Sequence, residues 1–239
     1  MNTHVVIFLG TSCVICWVVA YVGIIWRGFK DRTFGMPIAA LAANISWEAM
    51  YSFAIDPLGD YLHILSIPCF FIDLIIAWQC LTWARKDFTH PFLKRNAKLI
   101  LFGAIAIAYP VLYYSFYEFH DPLGEYTGFG INLMMSILFV AMLLRRDSAA
   151  GQSMYIAVSK WLGTLLAYLA TAVQATTSME NPWPESLSSF VNKTIQHDAY
   201  PLTPLINVVY LAIFAVDLLY IYLLYRKLQE SKIDPWRRF

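Results

Sequence analysis

Apolar runs of about twenty residues recur along this chain at roughly 4–26, 34–55, 61–83, 97–119, 127–144, 154–177 and 204–225, and no other feature limits its fold so strongly. Within hydrocarbon every backbone N–H and C=O must be satisfied inside its own segment, so such runs form helices. The expected architecture is all-α: a seven-transmembrane-helix bundle in a single membrane domain over residues 1–239. Composition agrees, with 59% hydrophobic and only 14% charged residues, where a soluble domain carries about a quarter charged. The first run has no basic stretch before it and is too long for a signal peptide, so it is read as a retained span. The fifth is the shortest.

Orientation follows from where Lys and Arg fall in the short loops. Arg27, Lys30 and Arg32 follow the first run, Arg85, Lys86, Lys94 and Arg95 the third, Arg145 and Arg146 the fifth, and Arg226, Lys227, Lys232, Arg237 and Arg238 the last. The alternate loops are acidic, with Asp56 and Asp60, then Glu118, Asp121 and Glu125, then Glu180, Glu185 and Asp198 beside a lone Lys193. Every loop agrees on an N-terminus outside (lumenal) and a C-terminus in the cytoplasm. Asp56-Pro57-Leu58-Gly59-Asp60 and Asp121-Pro122-Leu123-Gly124 are turn signals. The sixth loop, about 178–203, is the longest. Its Pro182-Trp183-Pro184-Glu185-Ser186-Leu187 suits a membrane interface, and Asn192-Lys193-Thr194 matches a glycosylation sequon. The net charge of +1 gives no sign of a nucleic-acid partner, and Cys13, Cys16, Cys69 and Cys80 all lie within apolar runs, as small hydrophobes do.

A charge at membrane depth costs roughly 2.5–3.5 kcal/mol or more, so it marks function by default. Glu48, Asp73 and Asp217 are such charges, at about 20 Å from the inner helix end for Glu48 and about 12–16 Å for the other two. Asn44 and Tyr51 share a helical stripe with Glu48, a pattern that also serves merely to join helices. Asp217 has Tyr210, Phe214 and Tyr220 on its face and no evident partner. Asp73, near Cys69, Phe70, Ile76 and Cys80, divides evenly between packing and a pocket. Lys160 lies near a span end and is expected to snorkel to water.

Aromatic stripes recur on the fourth span (Tyr109, Tyr113, Phe116, Tyr117) and the sixth (Trp161, Tyr168). Such stripes are more often packing than chemistry, yet π faces around neutral acids are also what a carbocation reaction needs. No paired aspartates, Gly-rich phosphate loop, zinc spacing or nucleophile elbow occurs. The last span has no lysine for a retinal Schiff base. Two other readings stay open: a small seven-helix transporter, whose intramembrane acids would carry protons, and a non-catalytic lipid-binding membrane protein. Against the transporter, Pro37, Pro68, Pro110 and Pro201 do not fall at matched positions of a repeat.

Tyr21-Val22-Gly23-Ile24-Ile25-Trp26 followed by Phe29-Lys30-Asp31-Arg32-Thr33-Phe34-Gly35-Met36-Pro37 resembles the opening of the small integral-membrane terpene cyclases, best known from fungal meroterpenoid and indole-diterpene pathways and with bacterial relatives. Asn44-Ile45-Ser46-Trp47-Glu48 is similar to their acidic motif on the second helix. Val216-Asp217 with Tyr220 resembles the one on the last helix, and Trp183-Pro184-Glu185-Ser186 a feature of their last outer loop. The resemblance spans nearly the whole chain. It implies a proton-initiated terpene cyclase with no cofactor, no metal and no diphosphate ionisation. The substrate would be a farnesyl or geranylgeranyl chain, often epoxidised, on a head group supplied by an upstream prenyltransferase and epoxidase. Glu48 and Asp217 would be the catalytic acids. Asn44, Trp47, Tyr51, Asp73, Tyr113, Trp161, Tyr168, Tyr210 and Tyr220 would bind substrate or stabilise cations. The location would be the endoplasmic reticulum in a fungus or the plasma membrane in a bacterium.

Overall fold

The computed structural model describes residues 2–55, 61–88, 90–177, 186–196 and 198–239. Among them are eight helices and no strand: α1 Asn2–Asp31, α2 Ile38–Phe53, α3 Tyr61–Asp87, α4 Pro91–Phe119, α5 Glu125–Arg146, α6 Met154–Thr177, α7 Leu187–Ile195 and α8 Pro204–Glu230. Six of them, all but α2 and α7, are long and apolar enough to cross a membrane. The expected turn at 56–60 and most of the expected interfacial segment at 182–187 lie outside the described residues. The glycosylation sequon falls within α7, where Thr194 is buried.

Helix ends depart from the apolar runs for local reasons. Pro91 takes the first position of α4 behind His90, whose Nδ1 accepts from the Phe92 N–H (3.3 Å), so the helix starts well before residue 97. α1 and α8 continue past their apolar runs to Asp31 and Glu230, as polar turns without an energetic reason to stop at the hydrocarbon edge. α2 is shorter than expected. Pro37 bars helix over the residue before it, so α2 begins at Ile38 and its sixteen residues reach only about 24 Å.

A succession of packed neighbours runs α1, α6, α8, α5, α4, α3 and back to α1, and α2 lies within it against α3, α4 and α5. Ten of the sixteen α2 residues are buried. Ala40, Ala42 and Ala43 among them let neighbouring backbones come close.

Ion pairs join the end of α1 to the chain's tail and the ends of α3 and α5 to each other. Asp31 accepts from Arg27, from Arg238 Nη2 (2.6 Å) and from the Gly151 N–H (2.8 Å). Asp87 pairs with Arg146 and accepts from Thr33 Oγ1 (3.1 Å). Burial pushes the Arg238 guanidinium down from its usual range while Asp31 holds it up. The opposite end of α5 is built on the turn before it. Asp121 Oδ2 accepts from the Thr127 N–H and hydroxyl (both 2.8 Å), Oδ1 accepts from the Tyr126 N–H and the Tyr200 hydroxyl (both 3.1 Å), and the Asp121 carbonyl accepts from Tyr51 (3.0 Å). Burial and the charge of Asp121 push the Tyr200 phenol up, so it stays a neutral donor.

Candidate active site

A cavity of about 260 Å³ lies between α1, α2, α3 and α5, capped by Leu123 and Gly124 of that turn. Its aromatic lining is Trp17, Tyr21, Trp47 and Phe129, and its polar lining includes Asn44, Glu48, Ser66 and Asn132. The α1 contribution, Val14, Trp17, Val18 and Tyr21, recurs at the three- and four-residue steps that put side chains on one helix face. A second, apolar groove of about 520 Å³ runs between α2, α4 and α5, with exposed Ile107 and Val111 on its rim. Ile131 lines both.

One wall of the cavity is acidic. Glu48 is 7% exposed and has the Ser66 side chain as a hydrogen-bonding neighbour, while its Oε2 has no partner. One turn back, Asn44 Nδ2 donates to Asp73 Oδ2 (2.6 Å) and to the Tyr21 hydroxyl (2.7 Å). Asp73 is fully buried behind Asn44, with Oδ1 unpartnered. No lysine or arginine among the described residues pairs with Glu48 or Asp73. An unpaired charge buried in this way is very costly.

Asp217 differs from its expected setting. It is not a lone acid among aromatics: both its oxygens accept from Lys160 Nζ, at 2.8 and 2.7 Å. Lys160 does not snorkel. It is 2% exposed, gives a further hydrogen bond to Ser136 Oγ (2.7 Å), and sits 5.8 Å from the Trp17 ring centre. Packing explains the difference, because α6 runs beside α8 and brings a cation to the acid at the same depth. Trp17, Tyr21 and Met135 separate this pair from the Glu48 cavity.

The remaining expected site residues are spread over several places. Trp47 lines the cavity, donates from Nε1 to Thr127 Oγ1 (3.0 Å) and packs on Tyr51 with ring centres 4.3 Å apart. Tyr51 is buried behind it and tied to the capping turn. Tyr113 stands apart from the cavity, in a ladder with Tyr109 and Tyr117 along α4. Tyr168 and Tyr210 belong to an aromatic cluster with Phe129 and Phe214, which Trp161 joins through Phe214. Tyr220 is buried elsewhere, donating to Gln152 Oε1 (3.0 Å).

Glu125, expected in an outer loop, is instead a buried acid at the start of α5. Its Oε1 accepts from Thr171 (2.8 Å) and its Oε2 from Tyr210 (3.2 Å). Phe129, one turn on, spans from this cluster to the cavity, its ring centre 4.2 Å from that of Tyr210.

Residues 2–231 match the family model of the Pyr4-like transmembrane terpene cyclases. The chain belongs to this family. Among curated relatives it is 31% identical over 159 residues to the Pyr4-family terpene cyclase mfmH of Annulohypoxylon moriforme, covering 65% of each chain. That alignment spans just under two thirds of the relative's length. It is also 24% identical over 185 residues to asnovolin H synthase nvfL of Aspergillus novofumigatus, covering 74% of each, and 28% identical over 181 residues to terpene cyclase penB of Penicillium crustosum, covering 72% of this chain and 70% of the relative. No solved structure matches. As a transmembrane terpene cyclase family member with six long apolar helices, the protein is a multi-pass integral membrane protein.

Gly124 is required by the cavity's cap. Its φ of 71° lies in the left-handed region, and a Cβ there would come within 2.6 Å of the Trp47 ring. Gly124→Ala is therefore expected to cost about 1–3 kcal/mol through strain and overlap. It should also tilt Trp47 away from Thr127. A thermal scan of the detergent-solubilised protein, followed by indole fluorescence, checks both effects, and an unchanged scan would contradict this account.

Proposed function

We propose that this protein is a proton-initiated cyclase acting on a prenylated substrate, with Glu48 as the general acid. The observation that carries the reading is Glu48 itself: a buried carboxyl with one oxygen unpartnered and no cation beside it, on the wall of an aromatic-lined cavity. The bundle crosses the bilayer seven times with α2 as the seventh crossing, the N-terminus outside and the C-terminus in the cytoplasm, as the loop charges indicate. The farnesyl or geranylgeranyl chain comes from the bilayer along the apolar groove beside α4 and passes Ile131.

Glu48 donates its proton to an epoxide oxygen or a terminal alkene, and the C–O bond or π bond gives up its electrons to leave a carbocation. The remaining alkenes attack in turn as rings close, with Trp17, Tyr21, Trp47 and Phe129 presenting π faces to the migrating charge. Loss of a proton, or capture by a head-group hydroxyl, ends the sequence, so substrate and product are isomers. The acid supplies the initiating charge and no metal is needed. Asn44, bonded to Asp73 and to the Tyr21 hydroxyl, shapes the wall beside Glu48. Asp217, locked on Lys160, positions the α5 wall through Ser136. A prenyltransferase and an epoxidising enzyme supply the substrate.

Membranes containing the protein, incubated with epoxidised farnesyl and geranylgeranyl conjugates, are expected to yield a product of unchanged mass and shifted retention in liquid chromatography with mass spectrometry. Recovery of intact substrate from every conjugate would leave a carrier or a lipid-binding protein instead.

A further inference from the structure

On the α5 wall of the cavity, Asn132 is 5% exposed and lines the same space as Glu48. Its amide orientation is fixed by the order of hydrogen bonds around it. The Thr164 hydroxyl gives its single proton to the Lys160 carbonyl (3.1 Å), so toward Asn132 it can only accept, and it accepts from Nδ2 at 2.9 Å. The NH2 therefore points to α6, and Oδ1 is the free atom of a cavity-lining side chain, with no partner. The backbone is held as well. Ser136 donates to the Asn132 carbonyl (2.8 Å) and accepts from Lys160, which is itself bound to Asp217.

A buried acceptor without a partner is costly, and here three helices combine to keep one that way. Ser or Thr could easily have satisfied it locally. We infer that Asn132 is a specificity-determining residue whose Oδ1 accepts a hydrogen bond from an O–H group of the bound molecule. The inference rests on the cyclase reading for its ligand class and adds to it a donor requirement at the α5 wall. The hydroxyl has two possible sources, the head end of the prenylated molecule or the chain terminus where an epoxide opens.

Equilibrium binding to the full-length protein in detergent distinguishes these, using three tritiated probes: farnesol, farnesyl methyl ether, and farnesyl methyl ether whose terminal double bond has been converted to a diol. The native protein is expected to prefer at least one hydroxylated probe over the plain ether by about tenfold. Preference for farnesol assigns the head end, and preference for the diol assigns the terminus. Asn132→Leu should abolish the preference, read as the affinity ratio of each hydroxylated probe to the plain ether. Thr164→Val, which releases the amide, should weaken the preference and provides the readout if the leucine variant does not fold. Equal affinity for all three probes in the native protein, or an undiminished preference in both variants, overturns the inference. Product formation is scored separately: an Asn132-dependent preference without any cyclised product would keep the hydroxyl subsite and remove the cyclase chemistry.

Discussion

Glu48→Gln is expected to lower turnover by about 10³-fold or more while leaving the thermal midpoint within a few degrees of the native value. Glutamine keeps the size of the side chain and its hydrogen bond to Ser66 but has no acidic proton. No nearby group takes over the role readily. Asp73 lies behind Asn44 outside the cavity lining, and Asp217 is engaged by Lys160 on the far side of Trp17. Asp73→Asn should therefore reduce turnover less than Glu48→Gln does, through the displacement of Asn44. Single-turnover rates for both variants, on the substrate that the native enzyme converts, make the comparison. Equal losses would mean that the two carboxyls act as one donor, and full turnover by Glu48→Gln would remove the mechanism.

The second large effect concerns the buried pair. Lys160→Met leaves the Asp217 carboxylate with no cation in a site that is 1% exposed. Breaking a buried ion pair from one side costs roughly 3–5 kcal/mol, whereas replacing both partners by apolar groups is often close to neutral. For a chain of this size the single change corresponds to a fall of about 10 °C in the unfolding midpoint. The double variant Lys160→Met with Asp217→Leu should regain most of that stability. It should not regain turnover, because Ser136 and the α5 wall lose the ammonium that holds them. A double variant no more stable than Lys160→Met alone would show that the pair contributes by something other than mutual neutralisation. Thermal unfolding followed by tryptophan fluorescence measures the first quantity, and product formation by the same preparations the second.

Much of the helical framework could be read from the chain because hydropathy is additive along one segment. The Asp121-Pro122-Leu123-Gly124 turn added a local rule for where a segment begins, whereas the helix start at Pro91 was passed over in favour of the apolar run from 97. The three acids at depth could be singled out for the same reason, since a charge in an apolar run stands out without reference to any other segment. What could not be read was which residues meet. Lys160 looked like a span-end lysine because the sequence does not say that α6 lies against α8. Glu125 looked like a loop acid because an acid after a Pro-Gly turn usually meets water, and only the approach of Thr171 and Tyr210 buries it. The cavity's aromatic faces come from Trp17, Tyr21, Trp47 and Phe129, on three helices. The stripes on α4 and α6 were easier to see precisely because each lies on a single helix. A sign was available for α1, where Val14, Trp17, Val18 and Tyr21 form one face, but an apolar face on an apolar helix carries little contrast.

The placement of α2 inside the ring has a consequence for how the protein meets membranes of different thickness. A lipid-facing helix of about 24 Å would force a bilayer with a core of about 30 Å to thin around it. Because α2 is surrounded by α3, α4 and α5, protein rather than acyl chains absorbs that shortfall. The helix that carries Glu48 is thereby shielded from the acyl chains over most of its surface and meets them chiefly along the groove beside α4. Reconstitution into bilayers of increasing acyl length should change how fast substrate arrives at the groove beside α4 well before it changes the chemistry at Glu48.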